Sequence, residues 1–448
     1  MYKFNYNIIL KDKKMSIFKN YPRGVLALSS IEMWERFSFY TMQAILVLYA
    51  AAAINKGGLG WSNADAMRLT GLYGALVYAS PLFGGYIADR IIGNKVAVLI
   101  GSIIMMCGHA TLAIPGSVHA LYTGLLLLVI GCGLMKPSIS AMVGEFYDRT
   151  DKANKESGFA IFYMSINIGG LMGPLIAGLV SDKYGYSYAF GTAALGLVIA
   201  IINFFMCQSK SLKNVGNRRI KVTTDPKHLW TKADYKRFWT FIILCVSNIF
   251  WNVIYALPYG LLTLYADKNI GRTVFGWEVP ATWFFGMYGG MIIVLSPLMA
   301  IIYQTIDKKT KWTFTLSYKL AIGYVLLAIA CLFILPLVVQ IGANPHYVGS
   351  SWYLILFYLF FAISELITVP VLLSAATTFA TPGFSATLVS LNMCISWAIG
   401  AYLGGEFGAL TESMDPGLMF KWVIGLCFVF MFGHIFSNRK IEAIINAK

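Results

Sequence analysis

The chain has 448 residues, of which 58% are hydrophobic and 12% charged, with a formal net charge of +15. A soluble domain carries about a quarter charged residues, so this composition excludes an ordinary water-soluble globule. The positive excess sits in short polar stretches between apolar runs, which reads as membrane topology and not as a nucleic-acid surface.

A helix needs about 20 apolar residues to cross roughly 30 Å of hydrocarbon. Residues 1–24 form a Lys-rich lead without a cleavable signal, because the apolar run 4–10 is too short and no small-residue cleavage site follows; Met15 is an alternative start. Six spans are then predicted near 25–54, 66–88, 95–115, 119–143, 157–180 and 187–207. A basic stretch, 208–238, is too polar and too short to hold another pair of helices. Six further spans follow near 239–265, 281–304, 313–338, 350–380, 385–410 and 418–437, with a tail at 438–448. The expected units are therefore an N-terminal six-helix bundle (25–207), a linker (208–238) and a C-terminal six-helix bundle (239–437).

Loop charge gives the orientation. Lys11, Lys13, Lys14, Lys19 and Arg23 lead in, and the even-numbered gaps carry Arg90, Lys95, Arg149, Lys152, Lys155, the linker, Lys308, Lys309 and Lys311. The odd-numbered gaps are sparse, so both termini are placed in the cytoplasm; the expected location is the cell (inner or plasma) membrane. Two six-helix bundles predict a substrate site between the halves near the midplane. Gly169/Gly173 and Gly400/Gly404, each one turn apart, are either close-packing positions or background glycine. The seven cysteines are scattered singly in apolar runs, which suggests neither a metal site nor disulfides.

Ionisable groups inside a span cost about 2.5–3.5 kcal/mol each on insertion scales, so those present usually face a cavity or a partner. In the first span, Glu32, Glu35, Arg36, Phe39, Tyr40 and Gln43 recur at helical spacing and form one polar face. Two carboxylates beside one guanidinium leave a carboxyl free to carry a proton; an ion-pair staple is the bland alternative, which needs fewer charges. The fourth span carries Lys136-Pro137, and a lysine there requires an anion, either Glu365 or a substrate carboxylate. The tenth span carries Glu365 ahead of Pro370. Lys319 and Glu406 lie near predicted span ends, where long side chains reach water. The chain has no Gly-x-Ser-x-Gly, His-Glu-x-x-His or P-loop, so an enzyme is not expected, and nothing resembles a channel filter.

These residues resemble a known family. Glu32-x-x-Glu35-Arg36-Phe37-x-Phe39-Tyr40 is similar to the ExxERFxYY motif of the proton-dependent oligopeptide transporters (POT) in the major facilitator superfamily, with Phe39 in place of the first tyrosine. Further matches follow in the family's order: Gly84 to Gly93, Gly131 to Pro137 (GxGxxKP), Phe162 to Gly169 (FYxxINxG) and Glu365 to Ser374. The resemblance implies an all-α major facilitator fold of twelve transmembrane helices, and proton-driven uptake of di- and tripeptides without cofactor or metal. It assigns Glu32 and Glu35 to proton coupling. By the same resemblance Arg36 and Lys136 hold the peptide carboxylate, Asn167 its backbone and Glu365 its amino end, while Tyr40 and Tyr78 line the pocket. Protons, membrane lipid and a small peptide or peptide-like solute are the implied partners, with no nucleic acid.

The departures lie mostly in the second half. The family usually has an arginine at the position of Gln43, paired with a seventh-helix glutamate, and Phe250 to Ala256 contains no acid. The outer gate is therefore expected to be held by something weaker. An Asn-Pro of the eighth helix is replaced by Tyr288-Gly289, and the linker lacks the two extra helices usual in bacterial members. A carrier of a non-peptide or peptide-like metabolite, such as a siderophore, imported or exported, is the alternative these departures motivate.

Overall fold

A computed structural model describes residues 21–147, 152–217, 230–309, 315–381 and 385–446. Residues 1–20, Arg149, positions 218–229 of the expected linker and Lys311 lie outside the described residues. The first half comprises α1 (Arg23–Ala51), α2 (Asn63–Ile87), α3 (Asn94–Leu112), α4 (Val118–Gly144), α5 (Lys152–Tyr184) and α6 (Tyr186–Gln208). The second half comprises α7 (Lys232–Tyr255), α8 (Leu261–Lys268), α9 (Thr282–Lys309), α10 (Leu316–Ala343), α11 (Trp352–Thr378), α12 (Ser385–Asn392), α13 (Ile399–Leu410) and α14 (Pro416–Asn446). The pair α7/α8 makes one broken span, and α12/α13 makes another, joined by a π-helical segment at Met393–Ala398. The result is the expected all-α fold of twelve spans in two six-helix bundles.

Ten helices among the described residues are individually long and apolar enough to cross a bilayer. The two that fall short are α1 and α2, although they are 29 and 25 residues long. In α1 the shortfall comes from Glu32, Glu35, Arg36 and Gln43, all of which are buried inside the protein. A lipid-exposed charge would be expensive, whereas an inward one needs only a protein partner or a polar cavity.

Local sequence sets the helix boundaries. Ser62 starts α2 by accepting the Asp65 amide, Ser117 does the same for α4 with Ala120, and Thr231 with Asp234 forms a capping box on α7. Gly185, at φ 92°, is the single residue between α5 and α6, and a residue with a Cβ would be strained there. Pro81, Pro137, Pro174, Pro297, Pro336 and Pro370 all lie inside helices that continue through them. The helix α14 passes the expected span end at 437 and runs on to Asn446. Ile441 is buried there, and Ile444 and Ile445 pack against the cluster around Phe241, Leu320 and Leu372.

The paired glycines mark close approaches. A methyl on Gly169 would stand 2.4 Å from the Met33 carbonyl oxygen, and one on Gly173 would stand 2.7 Å from that of Phe37, so α5 lies almost backbone to backbone on α1. In the second half, methyls on Gly400 and Gly404 would lie 2.3 Å from Cβ of Asn252 and 2.4 Å from Cβ of Ala256. Both pairs therefore serve helix packing.

The two halves meet at two antiparallel seams. Along α2 and α13, Gly71 faces Gly405, Gly74 faces Ala401 and Gly408 faces Met67. Along α5 and α9, Gly170 faces Gly289, and Thr282 and Trp283 donate to the carbonyls of Pro174 and Leu175 at 2.8 and 3.0 Å. All these contacts lie in the half of the molecule away from the described chain ends, the distal half. Above them, short strands at Ile270–Gly271 and Gly349–Ser350 pair in parallel, and Asn269 donates to the carbonyls of Pro345 and Tyr347.

Candidate substrate and proton site

Beneath the seams the polar face of α1 is turned to the interior of the protein, with Glu32, Glu35, Arg36 and Gln43 all buried. Arg36 lies between the two carboxylates of its own helix. Its Nη2 donates to Glu35 Oε1 at 2.6 Å, its Nε also donates to Glu35 Oε2, and Nε lies 3.4 Å from Glu32 Oε1. All three residues are at most 3% exposed. Glu32 Oε2 is buried without a hydrogen-bond partner. Glu32 thus has one oxygen facing the guanidinium and one without a partner.

The guanidinium carbon also lies 4.6 Å above the Phe39 ring. Phe39 lacks the hydroxyl of a tyrosine but keeps the aromatic face, so a cation–π contact adds to the two carboxylates. Tyr40, one residue on, packs against Phe39 and against Phe285 of α9, and so touches both halves.

Lys136 projects from α4 with its ammonium 5.3 Å from the centroid of the Tyr78 ring on α2. It lies within electrostatic reach of Arg36, Glu35 and Glu32 but forms no ion pair with any of them. Tyr78 in turn packs on Trp397 of the π-helical segment, with ring centroids 5.2 Å apart. Asn167 of α5 donates to the Tyr163 carbonyl of its own helix at 2.9 Å, which leaves its amide oxygen free.

Glu365 enters from α11. Its Oε2 is buried and has no hydrogen-bond partner. The Lys136–Glu365 ion pair that the sequence allowed is not formed. The alternative reading of Lys136, an ammonium awaiting an anion, fits the geometry. Tyr40, Tyr78, Tyr163 and Tyr255 all lie within electrostatic reach of Glu365, so residues of both halves face the same space. Tyr163 is nonetheless 46% exposed.

Contacts and electrostatic proximity link Glu32, Glu35, Arg36, Lys136, Tyr78, Tyr40 and Glu365, and Asn167 adjoins them through Tyr163. Other residues were not singled out in the sequence. Tyr255 and Trp397 pack edge to face at 5.1 Å, and Tyr259 packs on Phe285, so aromatic rings cover the chamber on the second half. Aromatics are frequent in this chain and carry no spacing signal that would have marked these four. Tyr288, at the position of the family's Asn-Pro, packs on Phe285, Tyr358 and Phe361 with its hydroxyl buried and unpartnered. Among the described residues no group of His, Cys, Asp and Glu is placed to hold a metal ion.

The family model PTR2, described as the POT family, matches residues 95–225 and 210–418. An uncharacterized transporter, YclF, of Bacillus subtilis is 30% identical over 91% of this chain and 93% of its own length. The chain belongs to the POT family. A di-/tripeptide transporter of Lactococcus lactis subsp. cremoris is 33% identical over 62% of this chain and 54% of its own length. A crystal structure of a mutant peptide transporter POT in complex with alafosfalin superimposes with a TM-score of 0.86 at 29% identity, covering 96% of this chain and 97% of that one. Within the POT family this chain is a multi-pass membrane transporter.

Proposed function

We propose that this protein is a proton-coupled symporter that takes up di- and tripeptides by alternating access. The observation that carries the reading is the division of charge in the chamber. Arg36 and Lys136 belong to one half and Glu365 to the other, and the Lys136 ammonium and Glu365 carboxylate are not spent on each other. A peptide zwitterion supplies the missing counter-charge to both. Its carboxylate end goes to Arg36 and Lys136, and its amino end to Glu365. Asn167 bonds its backbone through the free amide oxygen, and Tyr40 and Tyr78 flank it. Opposite charges joined through a bound solute draw the two halves together, which favours closure of the open side.

Glu32 and Glu35 carry the proton in this reading. With both ionised, Arg36 is fully engaged; protonation of one weakens its hold and frees the guanidinium for a substrate carboxylate. Proton and peptide then favour the same state, which is the requirement for symport. The termini lie in the cytoplasm and the bilayer is the cell inner membrane, so the seams described here close the side away from the cytoplasm. The protein acts as a carrier and not as an enzyme, and the boundaries 25–207 and 239–437 are its two moving units.

The test is uptake of a labelled dipeptide into proteoliposomes with and without an inward proton gradient. Uptake is expected to rise with the gradient and to be lost in Glu35→Gln and Lys136→Ala. Uptake indifferent to the gradient would overturn the coupling. The packed Tyr288 supports a second reading, in which the cargo is another amine- and carboxylate-bearing metabolite. Thermal stabilisation of the purified protein by such a compound, and by no di- or tripeptide, would favour it.

A further inference from the structure

The sequence leaves the distal closure without a charged lock between α1 and α7. Gln43 is buried on α1, and the facing part of α7 carries Asn252, which packs against Gly400 of its own half. The closure is nevertheless complete along the α2/α13 seam, where a methyl on Gly71 would stand 2.6 Å from the Gly405 Cα. Glycine contacts permit close approach but supply little that is specific to one state.

Within the length of that seam, beside Met67 and Gly405, Arg68 of α2 reaches across to α13, and its Nε donates to Glu406 Oε2 at 3.1 Å. Asp65, on the preceding turn of α2, lies 3.4 Å from Arg68 Nη1 and holds the guanidinium toward α13. Beside it, Asn63 joins the halves a second time. It accepts from Lys268 Nζ at 2.7 Å and donates to Glu412 Oε1 at 3.0 Å. These groups come from α2 on one side and from α8, α13 and the turn after α13 on the other; Arg68 and Glu406 flank the glycine seam, and Asn63, Lys268 and Glu412 lie beyond its distal end. The open cleft around them is lined by Trp61, Tyr122 and Tyr402 as well.

We propose that Arg68 and Glu406 form the latch of the distal gate, replacing a buried α1–α7 charge pair by an exposed pair between α2 and α13. The inference rests on the alternating access of the proposed function and adds the residues that set its conformational balance. The Arg68 and Glu406 side chains are 47% and 32% exposed. An exposed pair of this kind shifts an equilibrium by a factor of about two to five and is screened by salt. This latch is therefore weaker than a desolvated one and sensitive to the ionic strength of the outer solution. Both halves must also part at Thr282 and Trp283 for the gate to open, but those bonds are uncharged and insensitive to salt.

The test uses the full chain with its native cysteines replaced and spin labels at Ile54 and Met414, exposed distal sites on opposite halves. Pulsed electron-spin distance measurements in nanodiscs give the ratio of distally open to closed molecules. Arg68→Glu and Glu406→Arg are each expected to raise that ratio by about two- to fivefold, and the double exchange to return it to the starting value. Raising salt should open the parent chain more than it opens Glu406→Gln. Unchanged ratios in both single variants, or failure of the double exchange to restore the closed state, would overturn the latch. The readout is a distance and not uptake, so it stands apart from any failure of the peptide assignment.

Discussion

Lys136 and Glu365 bring opposite charges into one chamber from opposite halves of the molecule, and no ion pair joins them. Each is held near aromatic rings, Lys136 over Tyr78 and Glu365 one helical turn from Phe361, which itself stacks with Trp251 at 5.5 Å. Two ionisable groups of opposite sign left unpaired inside a membrane protein are costly, and on the proposed function a charged solute would supply their partners.

Removing either pole is expected to weaken substrate binding severely. A hydrogen bond to a charged group contributes about 1.5–3 kcal/mol, so Lys136→Ala and Glu365→Gln should each lower dipeptide affinity by roughly ten- to a hundredfold. Calorimetric titration of the purified variants checks this. An uncharged analogue blocked at both ends should bind the parent as weakly as the peptide binds the variants.

Glu32 and Glu35 should separate binding from coupling. Glu32→Gln removes the carboxylate that has a free oxygen while leaving the close Arg36–Glu35 pair in place. Exchange of labelled for unlabelled substrate, which needs no net proton movement, should persist in this variant within about threefold, whereas uphill uptake driven by a proton gradient should disappear. Glu35→Gln removes the closer partner of Arg36, and the buried guanidinium left with a single carboxylate should lower the melting temperature as well.

The glycine seams predict a sharp positional contrast in stability. Gly169→Ala must push the α1 and α5 backbones apart, and an overpacking cost of about 1–3 kcal/mol is expected. Gly425→Ala on α14 meets nothing within 4 Å and should be neutral or slightly stabilising. Thermal unfolding of the two variants followed by tryptophan fluorescence checks the contrast.

Asn269 holds two backbone carbonyls of the distal loop at 2.9 and 3.0 Å. Asn269→Ala leaves both without that donor and should cost about 1–3 kcal/mol. Hydrogen exchange should show faster exchange at Gly349, whose amide bonds to the Asn269 carbonyl beside the paired strands, with the helices of the first half unchanged.

Much of this molecule was legible in the sequence because the bilayer imposes one severe rule, that polar atoms turn inward. The spans followed from run length, and the charges Glu32, Glu35, Arg36, Lys136 and Glu365 stood out because so few accompany them. The rest depended on which helices touch. Glu406 reads as a side chain reaching for water at a span end, and it is partly exposed, but its partner Arg68 lies 338 positions away and no local pattern joins them. The missing Lys136–Glu365 pair was equally hidden, since sequence gives the signs of charges but not the distance between them. Tyr255, Tyr259 and Trp397 escaped notice because aromatic residues fill this chain, and only the packing selects those that cover the chamber.

Arg36 is held by Glu32, Glu35 and the Phe39 ring, all on its own helix, while Glu365 stands on a helix of the other half. On the proposed function, the span between the two poles would then be set by the movement of one half against the other, and the protein would gauge the length of its cargo with its whole frame, as callipers do.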